Sequence, residues 1–277
     1  MKPTEIKQAL VGMGGRANKS LGQHFLIDQA VLDSIVEAAA IKPGDFVLEV
    51  GPGLGVLTKE LLAHGAEVTA IEQDRRMVEY LKTEDANIIY GDAGDIHWHE
   101  LIGERTWKFV ANLPYSITSL ALRKALWAPK PPENLVVLVQ REVGERAVEV
   151  ANPKIKKSKT SLLSLMVALA SESVRIVRRV PAGCFYPPPK VESVVLQIIP
   201  MPWVEREKKW GINPEKIMEI AKKGFAHPRK LLASNLELGK ANGYSLLRDS
   251  GIDETARAED LSPDDWARLA KSVKIER

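Results

Sequence analysis

Asn112-Leu113-Pro114-Tyr115 brings an amide, a backbone bend and an aromatic ring together in four consecutive residues. The side-chain oxygen of Asn112 and the main-chain carbonyl of Leu113 can each accept a hydrogen bond from an –NH2 group. The Tyr115 ring offers a flat heterocycle a face to stack on. Together these are the parts needed to hold the exocyclic amine of a purine or cytosine. A strand-ending turn with a buried tyrosine would read the same in isolation, so the rest of the chain must decide between the two.

A second constellation is Glu49-Val50-Gly51-Pro52-Gly53-Leu54-Gly55. Glycines at alternate positions let a backbone turn sharply and approach a ligand that side chains would block. A dinucleotide cradle requires glycine three residues after Gly53, where this chain has Val56. The spacing instead suits S-adenosyl-L-methionine, whose sulfonium and amino acid tail need no phosphate-binding helix terminus. Glu72 stands about twenty residues on, where an acid can accept both ribose hydroxyls. Asp92 follows the next strand and could accept from an adenine amino group. Each acid alone could be a helix cap; three polar groups at successive strand ends describe a nucleoside site.

The elements that must position these groups follow a strand–helix rhythm. Strands are expected at Phe46–Val50, Glu67–Ile71, Asn87–Tyr90, Trp107–Ala111 and Leu135–Val139, alternating with helices at Leu54–Ala63, Arg75–Leu81, Ser116–Trp127 and near Glu142–Val150. Asp28 is a plausible N-cap for an earlier helix that buries Val31, Leu32, Ile35 and Val36. This pattern predicts an α/β fold with a doubly wound, mostly parallel sheet, and puts both constellations at its carboxyl edge. Leu162–Ala170 reads as a helix. Val174–Val180 and Ser193–Ile199 read as a hairpin-like strand pair at one sheet edge. Residues 1–18, with several glycines and little periodicity, read as a flexible arm. Pro200-Met201-Pro202 marks a boundary, with residues 19–200 as the main domain and 203–277 as a small helical one: Pro214–Phe225, a stretch around Leu231–Leu238, Tyr244–Asp249 and Pro263–Val273.

At 277 residues with 45% hydrophobic content the chain can bury a sizeable core, and no apolar run approaches the length of a membrane span. Cys184 is the one cysteine, which excludes an internal disulfide framework and suits the cytoplasm or an organelle matrix. Met1–Gly15 lacks the layout of a signal peptide. The net charge of +3 is unevenly spread. Between Ala151 and Lys190 stand eight Lys or Arg against one acid, and Trp203–Lys240 holds nine against five. Such clusters can track phosphates or simply form a solvated face. His97 and His99 flank Trp98 without further ligands at metal spacing, so no metal site is expected.

The motifs combine into a resemblance. Ser20-Leu21-Gly22-Gln23-His24-Phe25-Leu26, Glu49–Gly55, Asn112–Tyr115, Phe185-Tyr186-Pro187-Pro188-Pro189-Lys190-Val191-Glu192-Ser193, and Arg229-Lys230-Leu231-Leu232 with Asn235-Leu236 occur in one order. From about Asn18 to Leu236 the chain resembles the KsgA-type ribosomal RNA adenine dimethyltransferases, relatives of the Erm methyltransferases. The resemblance implies a class I methyltransferase domain and a helical RNA-recognition domain. It implies double methylation of N6 on two adjacent adenosines near the 3′ end of small-subunit ribosomal RNA, with immature 30S-type subunits as partner, a monomeric enzyme and no metal. It gives His24, Leu26, Gly51, Gly53, Glu72, Asp92 and Asn112 to the cofactor, and Asn112, Leu113, Tyr115 and Phe185 to the target base, Tyr115 and Phe185 stacking from opposite sides. The family more often has asparagine at His24 and at Ser116. It usually has a tyrosine-glycine pair ahead of a Leu-Ser-Val run where this chain reads Lys159-Thr160-Ser161-Leu162-Leu163-Ser164-Leu165. An Erm-like enzyme of large-subunit RNA, or an assembly factor keeping the fold to bind RNA, are the competing readings.

Overall fold

The computed structural model describes all residues except 153, 156–158, 237–239 and 274–277. Lys156 and Lys157 of the basic cluster between Ala151 and Lys190, and the end of the stretch expected around Leu231–Leu238, lie outside the described residues. In chain order the elements are α1 (Pro3–Gly12), β1 (Phe25–Leu26), α2 (Gln29–Ala39), β2 (Phe46–Val50), α3 (Val56–Ala63), β3 (Glu67–Glu72), α4 (Arg75–Leu81), β4 (Asn87–Tyr90), α5 (Trp98–Ile102) and β5 (Trp107–Asn112). Then come α6 (Thr118–Leu126), β6 (Asn134–Gln140), α7 (Arg141–Ala151), α8 (Leu162–Ala170), β7 (Ser171–Val180), β8 (Phe185–Tyr186) and β9 (Ser193–Pro200). The chain ends with α9 (Trp203–Trp210), α10 (Pro214–Gly224), α11 (Leu232–Asn235), α12 (Lys240–Asp249) and α13 (Pro263–Ser272).

A seven-stranded sheet runs in the order β4-β3-β2-β5-β6-β9-β7. The pairs among β4, β3, β2, β5 and β6 are parallel, and β9 joins β6 antiparallel. The expected edge pair of strands is therefore present, with β7 outermost. All five residues of β2 are buried, and so are five of six in β5, as expected of central strands covered on both faces. Because the order reverses between β2 and β5, their carboxyl ends open a crevice there. Asp28 caps α2 as the sequence suggests, its carboxylate accepting from the Val31 N–H at 3.0 Å.

Two expectations need correction. Residues 1–18 are not an unstructured arm: α1 buries Ile6 and Leu10 against Phe25, Leu54 and Met77. Its two apolar anchors are four residues apart, one face of a helix, and too few to stand out as a period. The division into units also differs. One unit holds residues 1–144 and 175–200, the other 145–174 and 201–277, so the chain crosses between them within α7, near the start of β7 and after β9. In the second unit α8 is apolar on all sides and almost wholly buried, the central helix among α9, α10 and α13. It belongs to the helical unit although it precedes the proline-marked boundary. Among the described residues no helix is long and apolar enough to cross a membrane.

Candidate active site

The carboxyl ends of β2, β3 and β5 and the loop after β4 line one cavity with the segment Leu21–Leu26 and with Phe185. His24, Leu26, Gly51, Gly53, Glu72, Asp92, Asn112, Leu113, Tyr115 and Phe185 all contribute to its wall, so the sequence-predicted residues come together.

The glycine turn forms the floor. Gly51 and Gly53 have φ of 73° and 57°, conformations that other residues enter only with strain. A Cβ on Gly51 would lie 3.1 Å from Cδ of Pro114, and one on Gly53 would lie 3.0 Å from Cε1 of Phe25. The backbone is therefore bare where it meets both the Asn112–Tyr115 loop and the N-terminal segment. Glu72 is 6% exposed and braces the turn: its carboxylate accepts from the Gly53 N–H at 3.0 Å and the Asp74 N–H at 2.7 Å. Burial pushes its carboxyl above the ordinary range. Asp92 accepts from the Gly94 N–H at 2.6 Å and from Nε2 of Gln73 at 3.2 Å.

Glu49 is the charge that sequence reasoning quoted but left without a role. It is 1% exposed, accepts from the Thr58 hydroxyl at 2.7 Å, and burial with the nearby Glu72 pushes its carboxyl up to about 8. Among the lining residues Glu49, Glu72 and Asp92 are acidic and none is Lys or Arg. With Glu49 neutral below about 8, Glu72 and Asp92 are acceptors without a basic neighbour in the lining, a set that disfavours a polyphosphate and suits a cationic ligand with hydroxyls and an amine to donate. S-adenosylmethionine fits on both counts.

The Asn112–Tyr115 end of the cavity is more tightly organised than its sequence suggests. Nδ2 of Asn112 donates to the His24 carbonyl at 3.1 Å, which fixes the amide and leaves Oδ1 as the acceptor. Nδ1 of His24 is 2.7 Å from the Pro187 carbonyl, which can only accept, so that nitrogen carries the proton. The Tyr115 hydroxyl pairs with Ser193 at 2.6 Å, and burial raises its phenol. Phe185 departs from the expected picture of an open stacking face. It is 3% exposed and packs in the apolar core, because β8 pairs antiparallel with β1 and sets Phe185 opposite Leu26. The ring stacked against Tyr115 is His24, at 5.9 Å between centroids and 28° between planes. Gln23 is another residue without a prior role: its amide nitrogen donates to Asp74 at 2.9 Å and its oxygen accepts from the Asn18 N–H at 2.7 Å, tying the N-terminal segment to the turn after β3. Outside the site, His97 and His99 are exposed and Cys184 is half-buried beside Asp28.

Comparison with known proteins agrees with this geometry. Residues 14–274 match the family model described as ribosomal RNA adenine dimethylase. The chain belongs to the ribosomal RNA adenine dimethylase family. A member from Dehalococcoides mccartyi, named ribosomal RNA small subunit methyltransferase A, is 38% identical, covering 96% of this chain and 91% of the relative. Its namesake from Deinococcus radiodurans is 36% identical, covering 99% and 92%. Among solved structures, a dimethyladenosine transferase from Plasmodium falciparum is 26% identical with a TM-score of 0.68, covering 89% of this chain and 96% of that one. The 23S rRNA methyltransferase ErmE, at 23% identity and a TM-score of 0.61, shares the fold over 90% of this chain and 98% of its own.

Proposed function

We propose that this protein transfers methyl groups from S-adenosylmethionine to N6 of two adjacent adenosines near the 3′ end of small-subunit ribosomal RNA, during maturation of the subunit. The observation that carries the reading is the fixed amide of Asn112, whose free oxygen shares a cavity with the acid-lined glycine turn. The names of the bacterial relatives support the choice of subunit.

When bound, S-adenosylmethionine supplies a methyl group on a positively charged sulfur. The bare backbone of Gly51 and Gly53 admits the ligand, Glu72 faces its ribose, Asp92 its adenine amine, and His24 with Leu26 closes the open side. Oδ1 of Asn112 and the Leu113 carbonyl hold the two N–H bonds of the target amine. An adenine amine is a poor nucleophile because its lone pair is spread into the ring; holding both hydrogens turns that lone pair toward the methyl group. This is positioning and electrostatic preorganisation, and it needs no metal. Tyr115 stacks on the base, and Phe185 closes the apolar wall behind it. A base must leave its stack to enter, so an unpaired loop adenosine is the natural substrate. Exposed cations of the helical unit, Arg229 and Lys230 among them, hold the surrounding RNA. We further infer that the protein acts as a monomer in the cytoplasm.

Incubation with methyl-labelled cofactor and immature small or large subunits tests the reading. Label recovered as dimethyladenosine in small-subunit RNA is the expected result. Label in large-subunit RNA would make it an Erm-like enzyme, and tight binding without label would make it an assembly factor.

A further inference from the structure

Tyr115 is partly exposed and sits at the start of a single 3-10 turn, a place where a ring has freedom to swing. Stacking on a base that has left its helix needs that ring held beforehand, because freezing it during binding costs affinity and a misplaced base slows transfer. The structure supplies two contacts from outside the motif. Ser193, the first residue of β9 and 0% exposed, meets the phenol oxygen at 2.6 Å. His24 lies against the ring and is itself tied through Nδ1 to the Pro187 carbonyl.

These contacts restrain different torsions. The phenol oxygen lies on the axis about which the ring rotates, so pinning it fixes the direction of the side chain and leaves the ring free to turn. A second ring packed on its face removes that turn. We propose that Ser193 is a positioning residue for the target base: it fixes the direction of Tyr115 while His24 fixes the plane of its ring. The inference rests on the reading of Tyr115 as the stacking face. It also gives a task to the serine that closes the Phe185–Ser193 motif, far from the loop it serves.

The arrangement is asymmetric. Ser193 is fully buried, so Tyr115→Phe leaves its hydroxyl without a partner and lowers stability. Tyr115 is less buried than Ser193, so Ser193→Ala is expected to cost less stability than Tyr115→Phe. Activity follows the opposite logic, since both variants lose the same restraint.

The test uses the full-length protein on immature small subunits, with cofactor affinity measured by calorimetry. Ser193→Ala is expected to lower kcat/KM for the subunit about tenfold to a hundredfold while cofactor Kd stays within about twofold of wild type. The Ser193→Ala/Tyr115→Phe double variant should be no worse than the poorer single variant, because both remove one bond; independent packing effects would multiply. His24→Asn, which keeps a donor and removes the ring, should also lower kcat/KM. Ser193→Ala with wild-type kcat/KM, a parallel loss of cofactor affinity, or multiplying effects in the double variant would each overturn the inference. A wild-type protein that leaves small-subunit RNA unmethylated overturns the functional reading beneath it instead.

Discussion

Asn112 makes two uses of one amide, and the two can be separated by substitution. Its nitrogen is spent on the His24 carbonyl, and the proposed mechanism gives its oxygen to the target amine. Asn112→Ala should lower kcat about a hundredfold or more, the usual cost of removing one preorganised polar partner from a reacting group. Cofactor Kd should rise much less; single-turnover transfer and calorimetry on the same variant check the split. Glu49 makes a pH prediction. An unfolded glutamate titrates near 4.5 and the native carboxyl near 8, so between these values the unfolded chain has lost a proton that the folded one keeps. Unfolding then releases a proton, and stability falls as pH rises through that window. Glu49→Gln removes the titration, so its melting temperature should fall less than that of wild type between pH 5 and 8. Parallel curves for the two proteins would locate the pH dependence elsewhere. The residue types of both motifs were legible in the sequence because strand ends and glycine spacing carry their own chemistry. The partners of those residues were not. Tyr115 and Ser193 are separated by 78 positions and Gln23 and Asp74 by 51, and no local pattern encodes such pairings.

At the scale of elements, central strands announced themselves because strands buried on both faces read as unbroken apolar runs. Phe46–Val50, buried throughout, has the boundaries the sequence predicts. Elements that depend on a few anchors were missed. Helix α9 buries Arg206 and Trp210 on one face, but its charged residues hide the period. Helix α1 packs through little more than Ile6 and Leu10, and β1 and β8 are two residues each, visible only as a pair. The resemblance makes Phe185 a stacking ring, and its pairing with β1, which buries it, cannot be seen in the sequence. Helix α1 touches the site indirectly. Ile6 is fully buried against Phe25, and the Phe25 ring is what a Cβ on Gly53 would strike. Ile6→Ala should therefore destabilise the protein by about 2–5 kcal/mol, the range for truncating a buried aliphatic side chain. Denaturant unfolding checks this, and a change below about 0.5 kcal/mol, the range of ordinary surface substitutions, would restore the unpacked arm. Cofactor affinity should fall in the same variant, since Phe25 loses its backing.

On the scale of the whole molecule, the two units divide the chemistry by charge. The cavity at the strand ends has Glu49, Glu72 and Asp92 in its lining and no Lys or Arg, whereas the stretch Trp203–Lys240 of the helical unit holds nine basic residues against five acidic. An acid-lined cavity cannot hold an RNA backbone, so phosphate contacts must be made elsewhere. Lys216, Lys222, Lys223, Arg229 and Lys230 are exposed in the helical unit and free to make them. The division was only half legible: Pro200-Met201-Pro202 marks one crossing, but α8 enters the helical unit from earlier in the chain and no composition change announces it. If the exposed cations neutralise phosphates, RNA affinity must fall steeply with salt through counterion release. Each phosphate contact removed should lower the slope of log K against log salt by about one. Arg229→Ala/Lys230→Ala should accordingly weaken binding to small subunits at low salt, flatten the slope by about two, and leave cofactor Kd unchanged. Filter binding across a salt series reads the slope directly. An unchanged slope would mean that these charges only solvate their face, and the phosphate contacts would then have to be sought among Arg175, Arg178 and Arg179, where β7 forms the exposed edge of the sheet.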